Sequence, residues 1–127
     1  IWRSVGFGDG FYVLRDKLDK NFLYFEMQGG NMVRHHLPTG EIKIIKPLEK
    51  AGEPKYRWNW NTPIAQSPKN PKTLYAASQF LFRSYDRGET WEKISPDLTT
   101  NDPAKQKQEE SGGVTMDKSS AENHCTI

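Results

Sequence analysis

The stretch Ser84-Tyr85-Asp86-Arg87-Gly88-Glu89-Thr90-Trp91 constrains this chain more than any other part of it, because it assigns each residue of a tight hairpin its own job. Ahead of it, Phe80-Leu81-Phe82-Arg83 is a short apolar and aromatic run suited to a strand. Behind it, Trp91-Glu92-Lys93-Ile94 alternates apolar and polar, the pattern of a strand with one buried face. Between the two, Ser84 and Asp86 carry side-chain oxygens that bond backbone amides of a turn. Gly88 supplies a backbone conformation that side chains resist. Thr90 begins the returning strand. Trp91 is expected to fill the gap beneath the hairpin and to be largely buried, a contribution of about 2–3 kcal/mol. Asp86 is thereby committed to the turn, and no catalytic role is expected of it.

The pattern Ser-x-Asp-x-Gly-x-Thr-Trp resembles the Asp-box, or BNR repeat, of sialidase-like β-propellers. The motif specifies a hairpin and hence an architecture; it does not specify a reaction.

The chain also repeats itself. Residues Arg15 to Tyr24 align with Gln66 to Tyr75, each a polar turn-forming run that ends in Leu-Tyr. Met32-Val33-Arg34 answers Leu81-Phe82-Arg83 after a two-residue contraction, and Glu41 to Ile45 answers Glu89 to Ile94. The period of about fifty residues is that of a propeller blade. Where the second copy has its Asp-box, the first has a turn within His35 to Gly40, containing Leu37-Pro38-Thr39-Gly40. The fold expected is all-β, two four-stranded antiparallel blades of a larger propeller, with Tyr24 and Tyr75 at equivalent second-strand positions. Blade one spans about 11–45, a linker 46–61 and blade two about 62–94. A polar loop with one short helical turn near Asp102-Pro103 follows, and Val114–Met116 and Cys125–Ile127 are expected as strand pieces of a next blade. Chain ends of this kind read as a piece of a longer protein, whose exposed blade faces would drive association.

Composition agrees. Short strands punctuated by ten glycines and eight prolines are an all-β signature, and no stretch keeps a helical period. No apolar run approaches the length of a membrane span. A net charge of +2, with lysines scattered among acids, argues against a nucleic-acid partner. The single cysteine, Cys125, excludes an internal disulfide and is expected as a small buried residue near a strand end.

A closer likeness rests on Gly8-Asp9-Gly10-Phe11, Tyr24-x-Glu26-x-Gln28-x-Gly30, Arg57-Trp58-Asn59-Trp60-Asn61-Thr62-Pro63, Leu81-Phe82-Arg83-Ser84 and Ile94-Ser95-Pro96-Asp97-Leu98-Thr99. These phrases resemble the large bacterial BNR or sortilin-like propeller proteins, some described as glycosyl hydrolases. The resemblance covers nearly the whole chain. It implies a protein of one or two propellers, exported to the cell envelope or beyond.

Candidate chemistry is sparse. Gly6-x-Gly8-x-Gly10 reads as a tight turn, because no strand–helix unit follows that would make it a phosphate loop. His35 and His36 are neighbours on a strand and point to opposite faces, so they do not grip one metal, and no metal or cofactor is expected. Asp9, Glu26, Glu53 and Glu122 are the carboxylates to test for glycoside hydrolysis, which requires a pair at defined separation. Arg34, Arg57 and Arg83 are too few and too repeat-like for a sialidase arginine cluster. Tyr56, Trp58 and Trp60 alternate, so an extended backbone would line them up to stack on sugar rings or to fill the seam between blades, with seam packing favoured. Three functions follow: a non-catalytic scaffold or protein- and peptide-binding propeller, part of a glycoside hydrolase whose catalytic residues lie mostly elsewhere, or a carbohydrate-binding propeller. The partners expected are further blades of the same or another chain, and a protein or glycan ligand.

Overall fold

A computed structural model describes residues 1–107 and 123–127. Among the described residues eight strands form two antiparallel sheets, each ordered as the chain runs. The first holds β1 (Val13–Arg15), β2 (Phe22–Met27), β3 (Asn31–His36) and β4 (Glu41–Ile44); the second holds β5 (Ile64–Gln66), β6 (Leu74–Ala77), β7 (Leu81–Ser84) and β8 (Glu92–Lys93). This is an all-β architecture consistent with two propeller blades.

The register makes the repeat explicit. Tyr24 pairs with Leu14 and Arg34, and Arg34 with Lys43. Tyr75 pairs with Ala65 and Arg83, and Arg83 with Glu92. The amide of Ile45 donates to Met32 O and that of Ile94 to Leu81 O, both at 2.9 Å. Even the β1–β2 and β5–β6 turns correspond: Asp16 Oδ1 accepts from the amides of Leu18 and Asp19, and Ser67 Oγ from those of Lys69 and Asn70.

Side chains alternate across a strand, so each sheet has two faces. On the first sheet Leu14, Tyr24, Met32 and Arg34 share one face, with Ile45 next after β4; Val13, Leu23, Phe25, Val33 and Ile44 share the other. The core lies between the sheets and joins Tyr24, Met32 and Ile45 of the first to Ile64, Leu74, Ala76 and Phe82 of the second, with Tyr56, Trp58 and Phe80 wedged alongside. The second sheet therefore contributes Ile64, Leu74, Ala76 and Phe82, the counterparts of Val13, Leu23, Phe25 and Val33. Opposite faces of one repeat meet, and the sheets stack head to tail.

Trp91 is partly buried, packed against the core ahead of the two-residue edge strand β8. Two local features differ from expectation. Cys125 to Ile127 form no strand; Cys125 is half-buried in a bend, its Sγ 3.4 Å from Thr100 Oγ1. Pro103 to Gln106 form a turn, closed by the Lys105 amide on Asp102 O at 3.2 Å. Val114–Met116 and Glu122 lie outside the described residues. Among the described residues no helix is long and apolar enough to cross a membrane.

Candidate functional site

The Ser84–Trp91 turn is built as its residue types require. Asp86 Oδ1 accepts from the Thr90 amide at 2.9 Å and from Ser84 Oγ at 2.8 Å, while Asp86 Oδ2 accepts from Thr90 Oγ1 at 2.6 Å. Ser84 Oγ in turn accepts from the Gly88 amide at 2.8 Å. Desolvation works to raise the Asp86 pKa, but the bonds from Thr90 and Ser84 prevail and hold it below the ordinary carboxylate value. Gly88 has φ +83°, and a Cβ there would sit 2.8 Å from Ile45 Cδ1. The glycine thus meets two demands, a left-handed backbone and close approach to the first sheet.

That approach turns the hairpin into a plug. Arg87, beside Gly88 and itself at φ 58°, reaches Asp16 of the first sheet with Nε–Oδ2 of 2.8 Å. The Asp16 side chain has no exposed surface, and it also accepts from Tyr24 OH at 2.7 Å and from the two turn amides. Burial pushes its pKa up, yet Arg87, Tyr24 and the amides together keep it below the usual value. Burial and then Asp16 push the Tyr24 phenol well above its ordinary pKa. Arg34 donates from Nη1 to Arg87 O at 3.0 Å, and both Arg34 and Lys43 pair with Glu89. The Trp91 indole donates to Ile45 O at 2.6 Å.

The aromatic linker packs behind this plug. Tyr56 and Trp58 are buried, with ring centroids 4.9 and 5.7 Å from Phe82; Trp60 is half-buried, edge-on to Phe11 at 6.3 Å. Buried Gln79 holds the linker backbone on both sides of Tyr56: it accepts from the Arg57 amide at 2.7 Å and donates to Lys55 O at 3.0 Å. Gly30, at φ +74°, gives Trp58 its room, since a Cβ would lie 2.7 Å from the indole.

The candidate carboxylates are dispersed. Asp9 accepts from Gln28 Nε2 at 2.9 Å in the N-terminal loop. Glu26 is buried at the seam, where Oε1 accepts from the amides of Gly30 and Thr62, each at 3.3 Å, and Oε2 has no partner. Burial raises its pKa to about 7, against those bonds and Lys46. Asp9 and Glu26 both border a cavity of about 300 Å³ that Val13, Phe25 and Met27 also line. Strand alternation sends the Glu26 carboxyl to the opposite face, so the two acids do not converge there. Glu53 lies on the rim of another groove, of about 410 Å³, lined by Leu48, Tyr56, Phe82, Trp91 and Lys93 among others. It takes bonds from Lys93 Nζ at 2.7 Å, Tyr56 OH at 2.5 Å and the Lys50 amide at 3.0 Å. Lys93 first, then Tyr56, lower its pKa to about 2, which leaves it ionised and without a proton to give.

The arginines separate likewise. Arg57 pairs with Asp97 at 2.7 Å and donates to Thr99 Oγ1 and Cys125 O. Arg34 and Arg83 occupy equivalent positions, on different sheets. His35 faces Val5 O and His36 bonds Thr39 Oγ1, on opposite sides of β3. Among the described residues no three His, Cys, Asp or Glu side chains form a metal-binding group.

Sequence reasoning missed the Asp16–Arg87–Tyr24 link and the place of Glu26. A signal existed for the first: an acid stands at Asp16 where the repeat has Ser67, and Arg87 sits between Asp86 and Gly88 of the turn. Burial of Glu26 follows from the seam, which sequence alone does not locate.

No protein-family model matches the chain, and no curated protein matches it.

Proposed function

We propose that the chain is a non-catalytic β-propeller scaffold and binding module, part of a larger exported protein of BNR-repeat type. The observation that carries this reading is the docking of the Asp-box turn into the first sheet. The motif residues and the acids nearest to them hold sheets together, and their donors and acceptors are spent on one another. Asp86 closes its turn, Asp16 anchors the turn of the next sheet, and Glu53 is neutralised by Lys93. Retaining and inverting glycosidases both need two carboxyl groups facing one bond, one of them able to give a proton. The described acids offer no such pair. Incubation with aryl glycosides and sialosides tests the reading: no turnover is expected, and turnover abolished by Glu26→Gln or Glu53→Gln would overturn it.

A glycan-binding propeller is the second reading. It is favoured by the groove beside Glu53, whose wall combines Tyr56, Phe82 and a partly buried Trp91 with charged groups at the rim. Aromatic walls with a few polar groups suit sugar rings. A glycan array on the wild type and on Trp91→Ala separates the two: binding lost in the variant supports the second reading, and no binding supports the first.

A further inference from the structure

The linker between the two sheets is pinned by a buried acid. Glu26, 1% exposed on β2, accepts through Oε1 from the amide of Gly30 in the β2–β3 turn and from the amide of Thr62 in the run into β5. Gly29 donates its own amide to Trp60 O at 3.1 Å. Lys46, just past β4, donates from Nζ to Gly29 O at 2.8 Å and lies 5.3 Å from the centroid of the Trp58 ring. The peptide group between Gly29 and Gly30 is thus held on both sides, its carbonyl by Lys46 and its N–H by Glu26.

The pin is poorly supplied with donors. Both bonds to Oε1 are 3.3 Å, and Oε2 has no partner among the described residues. Charge-assisted bonds to a carboxylate run about 2.7–2.9 Å, so these contacts do little for a buried negative charge. An ionised carboxylate placed there keeps most of its desolvation cost. The cation that acts on it, Lys46, is bonded elsewhere and has Glu49 for a second acidic neighbour. Tyr12, whose carbonyl takes the Glu26 amide, and Met32, opposite on β3, bring no amine, imidazole or carboxylate. Trp58 and Thr62 bring none from the linker. Arg3 and Asp9 of the N-terminal loop border the cavity on the other face of β2.

We propose that Glu26 and Lys46 form a pH-operated latch: while Glu26 keeps its proton, residues 58–62 are pegged to the β2–β3 turn, and loss of that proton releases them and uncovers the Trp58 indole. Release lets the carboxylate regain water, which the pegged state denies it. It also opens Trp58, because the same turn covers that ring: a Cβ on Gly30 would lie 2.7 Å from the indole.

The working range follows from the acid. Burial raises its pKa from 4.5 to about 7 in the pegged state, against the two amides and Lys46. The released carboxyl ionises at its ordinary value, so the pegged state is fully favoured below that value and loses ground as pH rises to the pegged one. The whole change is a factor of roughly 300 in the pegging equilibrium.

Amide hydrogen exchange on the 127-residue chain tests the latch between pH 4.5 and 8, each rate divided by that of an unstructured chain at the same pH. Protection of the Gly30 and Thr62 amides is expected to fall by up to about 300-fold across this range, while that of the Thr90 amide, bonded within its own turn by Asp86, stays level. In Glu26→Gln the Gly30 and Thr62 amides should keep constant protection. In Lys46→Met, which retains an aliphatic chain over Trp58, the fall should be larger and extend to higher pH, because the cation that eases ionisation of Glu26 is gone. Level protection of Gly30 and Thr62 in the wild type would overturn the proposal. So would an equal fall at Thr90, which would mean global unfolding, or a fall that persists in Glu26→Gln. Should Glu26→Gln not fold, Lys46→Met still decides: a fall of unchanged size and range there would remove Lys46 from the latch and overturn the proposal as stated.

Discussion

Replacing Arg87 with Met should loosen the second sheet from the first, and the size of the effect can be worked from the seam. Asp16 has a fully buried side chain and four donors: the Leu18 and Asp19 amides, Tyr24 OH and Arg87 Nε. Removing the cation from a buried pair costs about 3–5 kcal/mol when nothing else compensates. Here three donors remain, and the Arg87 side chain is 20% exposed, so a cost of about 2 kcal/mol is expected. Methionine keeps much of the aliphatic volume over Phe22, where the guanidinium carbon sits 4.9 Å from the ring centroid. Urea unfolding followed by tryptophan fluorescence gives the value. A double-mutant cycle with Asp16→Asn isolates the pair and should return a coupling of about 1–2 kcal/mol. Acid provides a second reading. The Asp16 pKa is depressed in the fold, so its contribution is present above the unfolded carboxylate value and fades as pH falls through the folded one. Without Arg87 the folded value rises toward the unfolded one, so that loss should be smaller and complete at a higher pH. An unchanged midpoint together with zero coupling would refute the idea that this pair ties the sheets.

Two further changes probe the turn and the seam. Asp86→Ala should cost about 1–2 kcal/mol, like the loss of a side-chain cap, in the same unfolding assay; unchanged stability would contradict the bonding of the turn. Glu26 has its folded pKa raised from 4.5 to about 7, so the folded state holds a proton that the unfolded state has released. Stability should therefore fall between about pH 4.5 and 7, by roughly 3 kcal/mol from this group. Glu26→Gln should remove that decline; a decline of the same size in the variant would place its source elsewhere.

Strand order and pairing were legible because they are local. Leu-Tyr after a polar turn, arginine in the third strand and isoleucine after the fourth recur at one spacing, and the register of Tyr24 with Arg34 and Tyr75 with Arg83 follows it. The turn geometry at Asp86 was legible because each motif position answers one backbone demand. Which faces meet was not legible. Phe25 and Phe82 look alike in sequence, yet one lies beneath the N-terminal segment and the other at the centre of the core. The partner of Trp91 was not legible either: its indole donates to Ile45 O on the neighbouring sheet, which the motif alone does not specify. Tyr56 and Trp58 alternate as a sugar-stacking row would, but Gln79, more than fifteen residues away in sequence, fixes the linker that turns them inward.

The central claim is that the Ser84–Trp91 turn of the second sheet is seated in the first. The Trp91 indole N–H tests it most directly, because its acceptor is Ile45 O, across the seam. In nuclear magnetic resonance spectra this proton, assigned by its loss in Trp91→Phe, should exchange slowly with solvent. Gly88 α-protons should show cross-peaks to the Ile45 side chain. A freely exchanging indole proton, with no cross-peaks from Gly88 to Ile45, would show that the turn is not docked.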